Sequence, residues 1–269
     1  MFMVVIQLRP LILIQKLRKE NPMTLVCIFD VDGTLTPARQ AMDTKFAKFF
    51  REFITHVPTY LISGSDYLKL EEQVPQDILQ NCNGVFGSSG SQYFQGGKEV
   101  FSKDHKFKFL LHMLCEDFVD LSEYKIRRGN HIEKRPGMLN VSVVGRNATL
   151  ADRKHYSQWD KLSNERKKFV DAINQSRLPY EASAGGEISV DIVPNGWNKS
   201  TAMPEVLRQH PNANMLFFGD KICEGGNDFP LAEALEDGSG KHRAYPVADY
   251  TDTWQYLSII SEKYNKVAA

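Results

Sequence analysis

The sequence predicts an α/β protein whose parallel sheet is interrupted by an α+β insert. In the first third of the chain, short apolar runs at residues 24–29, 59–62 and 85–86 alternate with stretches of helical periodicity. Strands met in this order, with helices between them, pair in parallel and are covered by the helices. The clearest helix follows the first strand, because its phenylalanines between residues 46 and 53 form one apolar stripe.

The middle of the chain has a different pattern. Short candidate strands at residues 124–128, 131–133, 138–144 and 187–193 are linked by turn residues, which favours an antiparallel sheet with flanking helices. A very apolar strand at residues 215–218 then resumes the first pattern. We therefore divide the chain into an N-terminal extension (residues 1–22), a first core segment (23–96), the insert (97–194) and a second core segment (195–269).

Charge and cysteine content exclude several classes of protein. The 33 basic and 33 acidic residues give a formal net charge of zero, so there is no global attraction to nucleic acid or to an anionic membrane. The four cysteines are widely separated and form no Cys-x-x-Cys pair, which is typical of thiols in a reducing compartment. We therefore expect a cytoplasmic protein that binds neither nucleic acid nor membranes.

Residues 1–22 contain two short apolar runs separated by Arg9-Pro10, and neither approaches the roughly 20 residues of a membrane span. Basic residues follow these runs, the reverse of the order in a secretory signal. Three interpretations stay open: an extension upstream of a natural start at Met23, a weak organelle-targeting segment, or a helix packed on the body. The first is favoured, since the chemical motifs begin directly after Met23.

Two carboxylates follow the first predicted strand. Asp30 and Asp32 project to the same side of an extended chain, at the sheet edge where α/β proteins bind ligands. Gly33 then allows a sharp turn. Two close negative charges need a compensating cation or proton, and Mg²⁺ held by carboxylates and phosphate oxygens satisfies that need. The alternative is an Asp-rich turn without a ligand.

Polar residues after later strands favour the metal and phosphate interpretation. Ser63 or Ser65, after the second strand, places a hydroxyl where a phosphoryl oxygen could bind, although a helix cap is the simpler explanation of either serine alone. Lys199 begins a predicted helix, where the dipole disfavours a cation unless an anion lies nearby. Asp220 ends the apolar strand, and Gly225-Gly226-Asn227-Asp228 follows soon after.

In this order the motifs resemble the haloacid-dehalogenase-like superfamily. A narrower resemblance, covering nearly everything from Met23 onward, is to the eukaryotic phosphomannomutase family. The matching segments are residues 29–39 (FDVDGTLTPAR), 137–142 (GMLNVS) with Gly145-Arg146, 185–191 (GGEISVD) and 217–221 (FFGDK). The resemblance implies a Rossmann-like parallel-sheet core with an inserted α+β cap that carries the antiparallel sheet. The cap segments are the more specific part, because caps set the substrate in this superfamily.

The predicted cap carries a polar face and several arginines. Alternation along its strands places one set of polar side chains on a common side. These are Asn140, Ser142, Ser189 and Asp191. The arginines are Arg135, Arg146 and Arg153. Guanidinium groups bind phosphate bidentately, and a hydroxyl with a carboxylate suits sugar hydroxyls, so we expect a phosphate clamp beside a sugar clamp. A solvated polar face is the alternative explanation for any single arginine.

The resemblance further implies interconversion of mannose 6-phosphate and mannose 1-phosphate, primed by a sugar 1,6-bisphosphate and feeding GDP-mannose synthesis and protein glycosylation. Asp30 would be the nucleophile and Asp32 the general acid and base, with Lys199 helping to neutralise charge. Mg²⁺ would be held by Asp30, the Asp32 carbonyl and Asp220, with Asn227 and Asp228 in its surroundings. Arg39 would reach the substrate, and two chains would form a homodimer through their caps.

Some alternatives stay open. The segment Ser63-Gly64-Ser65-Asp66 stands where the family usually has Gly-Gly-Ser-Asp, so either Ser63 or Ser65 could contact the phosphoryl group. The choice between mannose and glucose is also open. A sugar-phosphate phosphatase, in which water accepts the phosphoryl group, is the first rival, and the cap segments argue against it. A non-catalytic binding protein is the second, and the joint presence of Asp30, Asp32 and Lys199 with Asp220 argues against that.

Overall fold

A computed structural model describes residues 25–268, so the extension predicted at residues 1–22 lies outside the described residues, as does Thr24 at the predicted start of the first strand. The strands within the described range are β1 (Leu25–Phe29), β2 (Thr59–Ile62), β3 (Gly84–Gly87), β4 (Gln92–Gln95), β5 (Lys98–Ser102), β6 (Ile132–Arg135), β7 (Met138–Val141), β8 (Tyr180–Gly185), β9 (Ser189–Pro194), β10 (Asn214–Gly219) and β11 (Arg243–Pro246).

The core is a seven-stranded sheet in the order β11-β10-β1-β2-β3-β4-β5. The five strands from β11 to β3 are parallel to their neighbours, and β4 and β5 extend the sheet as an antiparallel pair. Because β10 pairs directly with β1, the end of the chain returns to complete the sheet that its beginning started. The predicted parallel-sheet core with an insert is therefore confirmed.

Helices cover both faces of this sheet and one face of the cap sheet. They are α1 (Thr44–His56), α2 (Tyr67–Glu71), α3 (Gln76–Asn81), α4 (Phe109–Asp120), α5 (Leu150–Ser163), α6 (Glu165–Gln175), α7 (Ala202–Gln209), α8 (Phe229–Leu235) and α9 (Tyr250–Ala268). In α1, Asp43 caps the helix by accepting from the backbone N–H groups of Lys45 and Phe46. Phe46, Phe50 and Phe53 of the predicted stripe are buried against the sheet.

Alternation along β1 divides the core into two apolar layers. Cys27 and Phe29 belong to the layer that contains α1 and α9, whereas Val26 and Ile28 belong to the layer that contains α7 and α8. The ring of Phe29 stacks on Phe218 of β10, with centroids 5.1 Å apart. A strand buried on both faces is typical of a parallel sheet, and it fixes the position of the residue that follows β1.

The cap is a four-stranded antiparallel sheet in the order β6-β7-β9-β8. Its apolar face packs under α4 and α6 through side chains such as Leu139 and Ile192. The register pairs Asn140 of β7 with Asp191 of β9, so these polar side chains share the opposite face. The antiparallel cap sheet predicted from the sequence is confirmed, and its polar face is turned toward the core.

Two details of the sequence interpretation differ from the structure. The strand that the sequence predicts at residues 124–128 is absent, because the backbone there makes only isolated bonds such as Arg128 N–H to the Val144 carbonyl. The core sheet also extends past residue 96, the predicted end of the first core segment, since β5 pairs with β4. The chain leaves the core sheet after Ser102. Of the helices between residues 25 and 268, none is long and apolar enough to cross a membrane.

Candidate active site

The candidate site lies at the carboxyl edge of the core sheet, where three neighbouring strands end. Asp30 follows β1, Ser63 follows β2 and Asp220 follows β10. The parallel register aligns these ends, since Phe29 is opposite both Phe218 and Leu61. Asp30 N–H donates to the Phe218 carbonyl at 2.9 Å, which continues the ladder by one residue and fixes the aspartate. This edge is where open α/β sheets bind ligands.

Three carboxylates form an acidic cluster at this edge. Oxygen atoms of Asp30, Asp220 and Asp228 all lie within 4.8 Å of one another. Burial raises the pKa of the Asp30 carboxyl well above its ordinary range, and Lys199 opposes that rise. Burial also raises the pKa of Asp220, where Lys221 is the opposing charge.

Lys199 lies inside this cluster and is completely buried. Its Nζ donates to Asp30 Oδ1 at 2.5 Å and to Asp228 Oδ1 at 2.7 Å. Although burial alone lowers the pKa of Lys199, Asp228 and Asp30 raise it above the ordinary value, so the ammonium is charged. Lys221 pairs with Asp220 at 2.6 Å. The anionic partner that the sequence suggested for Lys199 is thus, in this structure, a pair of protein carboxylates.

The donor set fits Mg²⁺. Hard divalent cations take oxygen ligands, and the cluster offers three carboxylates. The two lysines that pair with them do not offset all of their negative charge. Asn227 lines the same cavity and adds an amide oxygen. Asp228 is completely buried, and its Oδ2 accepts from the Lys221 N–H at 3.0 Å, so this carboxylate also holds the Asp220–Lys221 backbone in place.

Asp32 has different surroundings from Asp30. Its Oδ1 accepts from the Arg39 N–H and from Gln73 Nε2, each at 2.8 Å. These bonds hold the carboxylate at the cavity wall, outside the acidic cluster. Gly33, with φ of 87°, makes the turn between Asp32 and the rest of the loop. Gln73 was not identified from the sequence, because an isolated glutamine after a helix carries no signal of its partner.

The loop after β2 carries the two candidate serines. Ser63 and Ser65 are both buried and both line the cavity, and Ser63 Oγ accepts from the Ser65 N–H at 3.0 Å. Ser63 therefore keeps its hydroxyl proton available to the cavity. A Cβ added at Gly64 would lie 2.9 Å from Asp191 Oδ2, so the glycine allows the cap to approach this loop closely.

On the cap side, an ordered polar network faces the acidic cluster. Arg146 Nη1 donates to Asn140 Oδ1 at 2.7 Å, and Asn140 Nδ2 donates to Asp191 Oδ1 at 2.5 Å. Burial raises the pKa of Asp191, and Arg135 opposes the rise. Ser189 Oγ donates to the Gly185 carbonyl at 3.4 Å. The face expected to bind sugar hydroxyls is therefore a connected set of donors and acceptors.

Arg153 contributes positive charge without a full set of partners. Its side chain is buried, and its Nε has no hydrogen-bond partner, with Glu187 lying 3.4 Å away. Burial and the nearby Arg39 lower the pKa of Arg153. A buried guanidinium beside a second arginine favours an anion between them, because the anion would offset both charges.

One cavity collects most of the residues identified from the sequence. They are Asp30, Asp32, Arg39, Ser63, Ser65, Arg135, Arg153, Ser189, Asp191, Asp220 and Asn227. Three others lie behind its wall. Lys199 contacts both Asp30 and Asp228, and Arg146 contacts Asn140, which lines the cavity. The cavity thus has a carboxylate end in the core and an arginine end in the cap.

Comparison with known proteins identifies the family. The family model for eukaryotic phosphomannomutase matches residues 46–260. The chain belongs to the eukaryotic phosphomannomutase family. Among its relatives, phosphomannomutase 1 of Homo sapiens is 36% identical over 224 residues, which cover 80% of this chain and 84% of that protein. Phosphomannomutase of Dendrobium officinale is 34% identical over 219 residues, covering 78% of this chain and 85% of the relative.

Solved structures support the fold of this family member. IMP-bound IMP-nucleotidase of Plasmodium falciparum superposes with a TM-score of 0.67 at 14% identity, over 97% of this chain and 74% of that one. The C-terminal domain of trehalose-6-phosphate phosphatase from C. albicans gives a TM-score of 0.62 at 18% identity, over 95% and 96% of the two chains. At such identities the similarity extends to the fold alone.

Proposed function

We propose that this chain interconverts mannose 6-phosphate and mannose 1-phosphate by transferring a phosphoryl group through Asp30, and that it requires Mg²⁺. The observation that carries the proposal is the two-ended cavity, which has the carboxylate cluster at one end and buried arginines at the other. A sugar bisphosphate has two phosphate ends and fits such an arrangement. Membership of the phosphomannomutase family gives the sugar.

In the proposed reaction, Asp30 attacks one phosphorus of a sugar 1,6-bisphosphate, and the bond from that phosphorus to the sugar oxygen breaks, which leaves a sugar monophosphate. Lys199, at 2.5 Å from Asp30, orients the carboxylate and helps to offset charge on the phosphoryl oxygens. Mg²⁺, held by Asp30 and Asp220 with the Asp32 carbonyl, and with Asn227 and Asp228 around it, would neutralise charge on the transferring group. Ser63 Oγ has its proton available for a phosphoryl oxygen.

Asp32 serves as the general acid and base. As the sugar oxygen leaves, Asp32 gives it a proton, and in the return step Asp32 takes a proton from the attacking hydroxyl. The bonds from Gln73 and the Arg39 N–H hold Asp32 Oδ1, which leaves Oδ2 for proton transfer. A sugar 1,6-bisphosphate primes Asp30 by leaving one phosphoryl group on it. The free hydroxyl of mannose 1-phosphate then takes this group to form mannose 1,6-bisphosphate, which turns end over end. Its other phosphate passes to Asp30, and mannose 6-phosphate leaves.

The cap supplies the sugar and distal phosphate contacts. Arg135 and Arg153 of the cap line the cavity together with Arg39 of the core. Arg146 orients Asn140, and Ser189 with Asp191 offers groups for sugar hydroxyls. A closed cap excludes water from the aspartyl-phosphate, so that the sugar hydroxyl accepts the phosphoryl group. Its product, mannose 1-phosphate, would feed GDP-mannose synthesis and glycosylation.

The test is incubation with mannose 1-phosphate, Mg²⁺ and a trace of glucose 1,6-bisphosphate. We expect mannose 6-phosphate as the main product, with little free phosphate. Release of free phosphate alone would contradict the mutase proposal and identify a phosphatase. The same assay with glucose 1-phosphate measures the sugar preference.

We further propose that the active form is a cytoplasmic homodimer joined through the caps. Four large apolar side chains on and just after α4 are exposed: Phe109 at 77%, Leu110 at 53%, Met113 at 43% and Leu121 at 82%. Several exposed large apolar side chains on one helix favour an interaction surface. The four cysteines Cys27, Cys82, Cys115 and Cys223 are all free thiols, which agrees with a reducing compartment.

A further inference from the structure

Charged side chains join the core to the cap at two points, and two of them, Lys69 and Glu133, have no role in the proposed mechanism. Lys69, on α2 of the core, donates through Nζ to Glu133 Oε1 on β6 of the cap at 2.5 Å. Glu133 Oε2 accepts from Arg135 Nε at 2.8 Å and from Nη2 at 2.5 Å. Arg135 Nη1 then donates back to the core, to the Gly64 carbonyl, at 2.7 Å. We call Lys69, Glu133, Arg135 and Gly64 the closure ring.

The closure ring touches both halves of the site. Gly64 lies between Ser63 and Ser65, so the bond from Arg135 fixes the loop that carries both serines. Glu133 Oε2 also lies 3.4 Å from Arg146 Nε, which places the same carboxylate beside two cap arginines. Glu133 thus contacts three cations, one in the core and two in the cap.

Burial makes these contacts stronger than surface ion pairs. The side chain of Arg135 is 3% exposed, and those of Glu133 and Lys69 are 24% and 23% exposed. Charges in such partly buried positions are screened less by water and salt than exposed pairs. Two N–H groups of Arg135 donate to the same oxygen, Glu133 Oε2, which orients the guanidinium.

The cap contacts the core directly in this structure, through the bonds from Lys69 to Glu133 and from Arg135 to Gly64. In the proposed reaction a sugar bisphosphate turns end over end between the core and the cap. The cap must therefore move away from the core in each cycle, and both contacts must break and form again.

We propose that Glu133 is a positioning residue that couples closure of the cap to placement of the phosphate-binding arginines, an inference that rests on the proposed function for the role of those arginines. When the cap closes, Glu133 meets Lys69 while its other oxygen holds Arg135 beside Arg146. The same movement brings Arg135 onto the loop of Ser63 and Ser65. Closure and arginine placement then occur together, and water is excluded only when the phosphate clamp is assembled.

Two substitutions separate the two roles. Lys69→Met removes the contact to the core but leaves Glu133 bound to both arginines, so it weakens closure alone. Glu133→Gln keeps the shape of the side chain and removes the negative charge that attracts both Lys69 and Arg135. Lys134→Met is the matched control, because Lys134 lies on the same strand but pairs with Asp104 on the exposed surface, outside the closure ring.

The first measurement follows closure without substrate. Ala184 N–H on β8 of the cap donates to the Gly225 carbonyl of the core at 2.9 Å, so its hydrogen exchange reports separation of cap and core. We expect exchange at Ala184 to be about fivefold faster in Lys69→Met and in Glu133→Gln than in Lys134→Met. Equal rates in all three variants would overturn the inference, whatever the chain catalyses.

The second measurement uses the mutase assay and determines two quantities separately: KM for mannose 1-phosphate, and the ratio of free phosphate to mannose 6-phosphate. The ratio of free phosphate to mannose 6-phosphate should rise about fivefold in Lys69→Met and in Glu133→Gln. KM for mannose 1-phosphate should rise about fivefold in Glu133→Gln and change less than about twofold in Lys69→Met. If the enzyme is active and the product ratios of the variants are unaltered, the inference is wrong. If the wild-type chain makes no mannose 6-phosphate, the proposed function is wrong, and the exchange rates at Ala184 still test the closure ring.

Discussion

At the scale of single residues, the molecule gives two neighbouring aspartates different surroundings. Asp30 is buried beside Lys199 and within the carboxylate cluster. Asp32 lies at the cavity wall and is held through one oxygen by Gln73 and the Arg39 backbone. Two carboxyl groups in different environments can divide the roles of nucleophile and proton carrier, as the proposed reaction requires.

Asp32→Asn should lower kcat by about 10²–10⁴-fold, because the amide cannot exchange a proton with the sugar oxygen. Binding of Mg²⁺ should change little, since the Asp32 side chain lies outside the acidic cluster. Steady-state kinetics and a Mg²⁺ titration followed by thermal unfolding measure the two effects. Turnover at the wild-type rate would exclude Asp32 as the general acid and base.

Lys199→Met should destabilise the metal-free protein by about 3–5 kcal/mol, because Asp30 and Asp228 would keep buried charges without the ammonium that both now contact. Urea unfolding gives this change in the free energy of unfolding. The double variant Lys199→Met with Asp228→Asn should recover part of the loss, since one buried charge is gone. A single variant as stable as the wild type would show that the carboxylates are not compensated through Lys199.

Some of these residues could be identified from the sequence, and some could not. Asp30, Asp32 and Asp220 follow apolar strands directly, so a strand pattern alone places them at one sheet edge. Gln73 is 41 positions from Asp32 along the chain, and its contact exists only because the loop after α2 folds back onto the first loop. Glu133 has the same difficulty, since a charged residue on a short strand reads as a solvated face.

At the scale of elements, the turn after β1 decides the geometry of the cluster. Gly33 has φ of 87°, which only glycine adopts without strain, and a Cβ at this position would lie 2.7 Å from Asp220 Oδ2. The strand therefore ends in a turn that lets the Asp220 carboxylate approach the backbone closely.

Gly33→Ala should destabilise the protein by about 1–3 kcal/mol, because the new side chain is strained in the left-handed region and collides with Asp220. Displacement of Asp220 should also weaken Mg²⁺ binding. Urea unfolding and a Mg²⁺ titration measure both effects. Gly186→Ala is a useful comparison, since Gly186 also has positive φ, at 33°, but open space around its Cβ position. Equal losses of Mg²⁺ affinity in the two variants would contradict the role of Gly33.

Elements with strong apolar patterns were predictable, and those defined by pairing were not. The helix α1 follows from its phenylalanine stripe, and β1 and β10 follow from continuous apolar runs. The strand β8 has the sequence YEASAG, whose small residues give little strand signal, and it forms because its whole length pairs with β9. The strand β5 is an exposed edge strand, so the alternation that marks a half-buried strand is missing.

At the scale of the whole molecule, the chain leaves the core, builds the cap and returns to place β10 beside β1. The sequence predicts an insert and a return to the core pattern after it. The order of the strands in the sheet depends on which strand edges meet in space, and no local sequence pattern records that order. The closed position of the cap is likewise a property of contacts such as Arg135 to Gly64, between residues 71 positions apart.

The exposed apolar face of α4 gives a prediction at this scale. Leu110→Glu combined with Met113→Glu should convert the proposed dimer to a monomer, because two charges would be buried in the interface. Size-exclusion chromatography with light scattering measures the mass. Leu68→Glu is the control, since Leu68 is 75% exposed and lies on α2 of the core, outside the exposed apolar face of α4. A wild-type monomer, or a double variant that stays dimeric, would contradict the cap interface.

The central claim, that the phosphoryl group passes through Asp30, is tested most directly by trapping the phosphorylated enzyme. The wild-type chain is mixed with Mg²⁺ and glucose 1,6-bisphosphate, quenched in acid, digested, and its peptides are weighed by mass spectrometry. The proposed mechanism predicts one phosphoryl group on Asp30 in the peptide that contains Phe29-Asp30-Val31, and none anywhere in Asp30→Asn. A phosphoryl group on another residue, or normal turnover by Asp30→Asn, would contradict the mechanism.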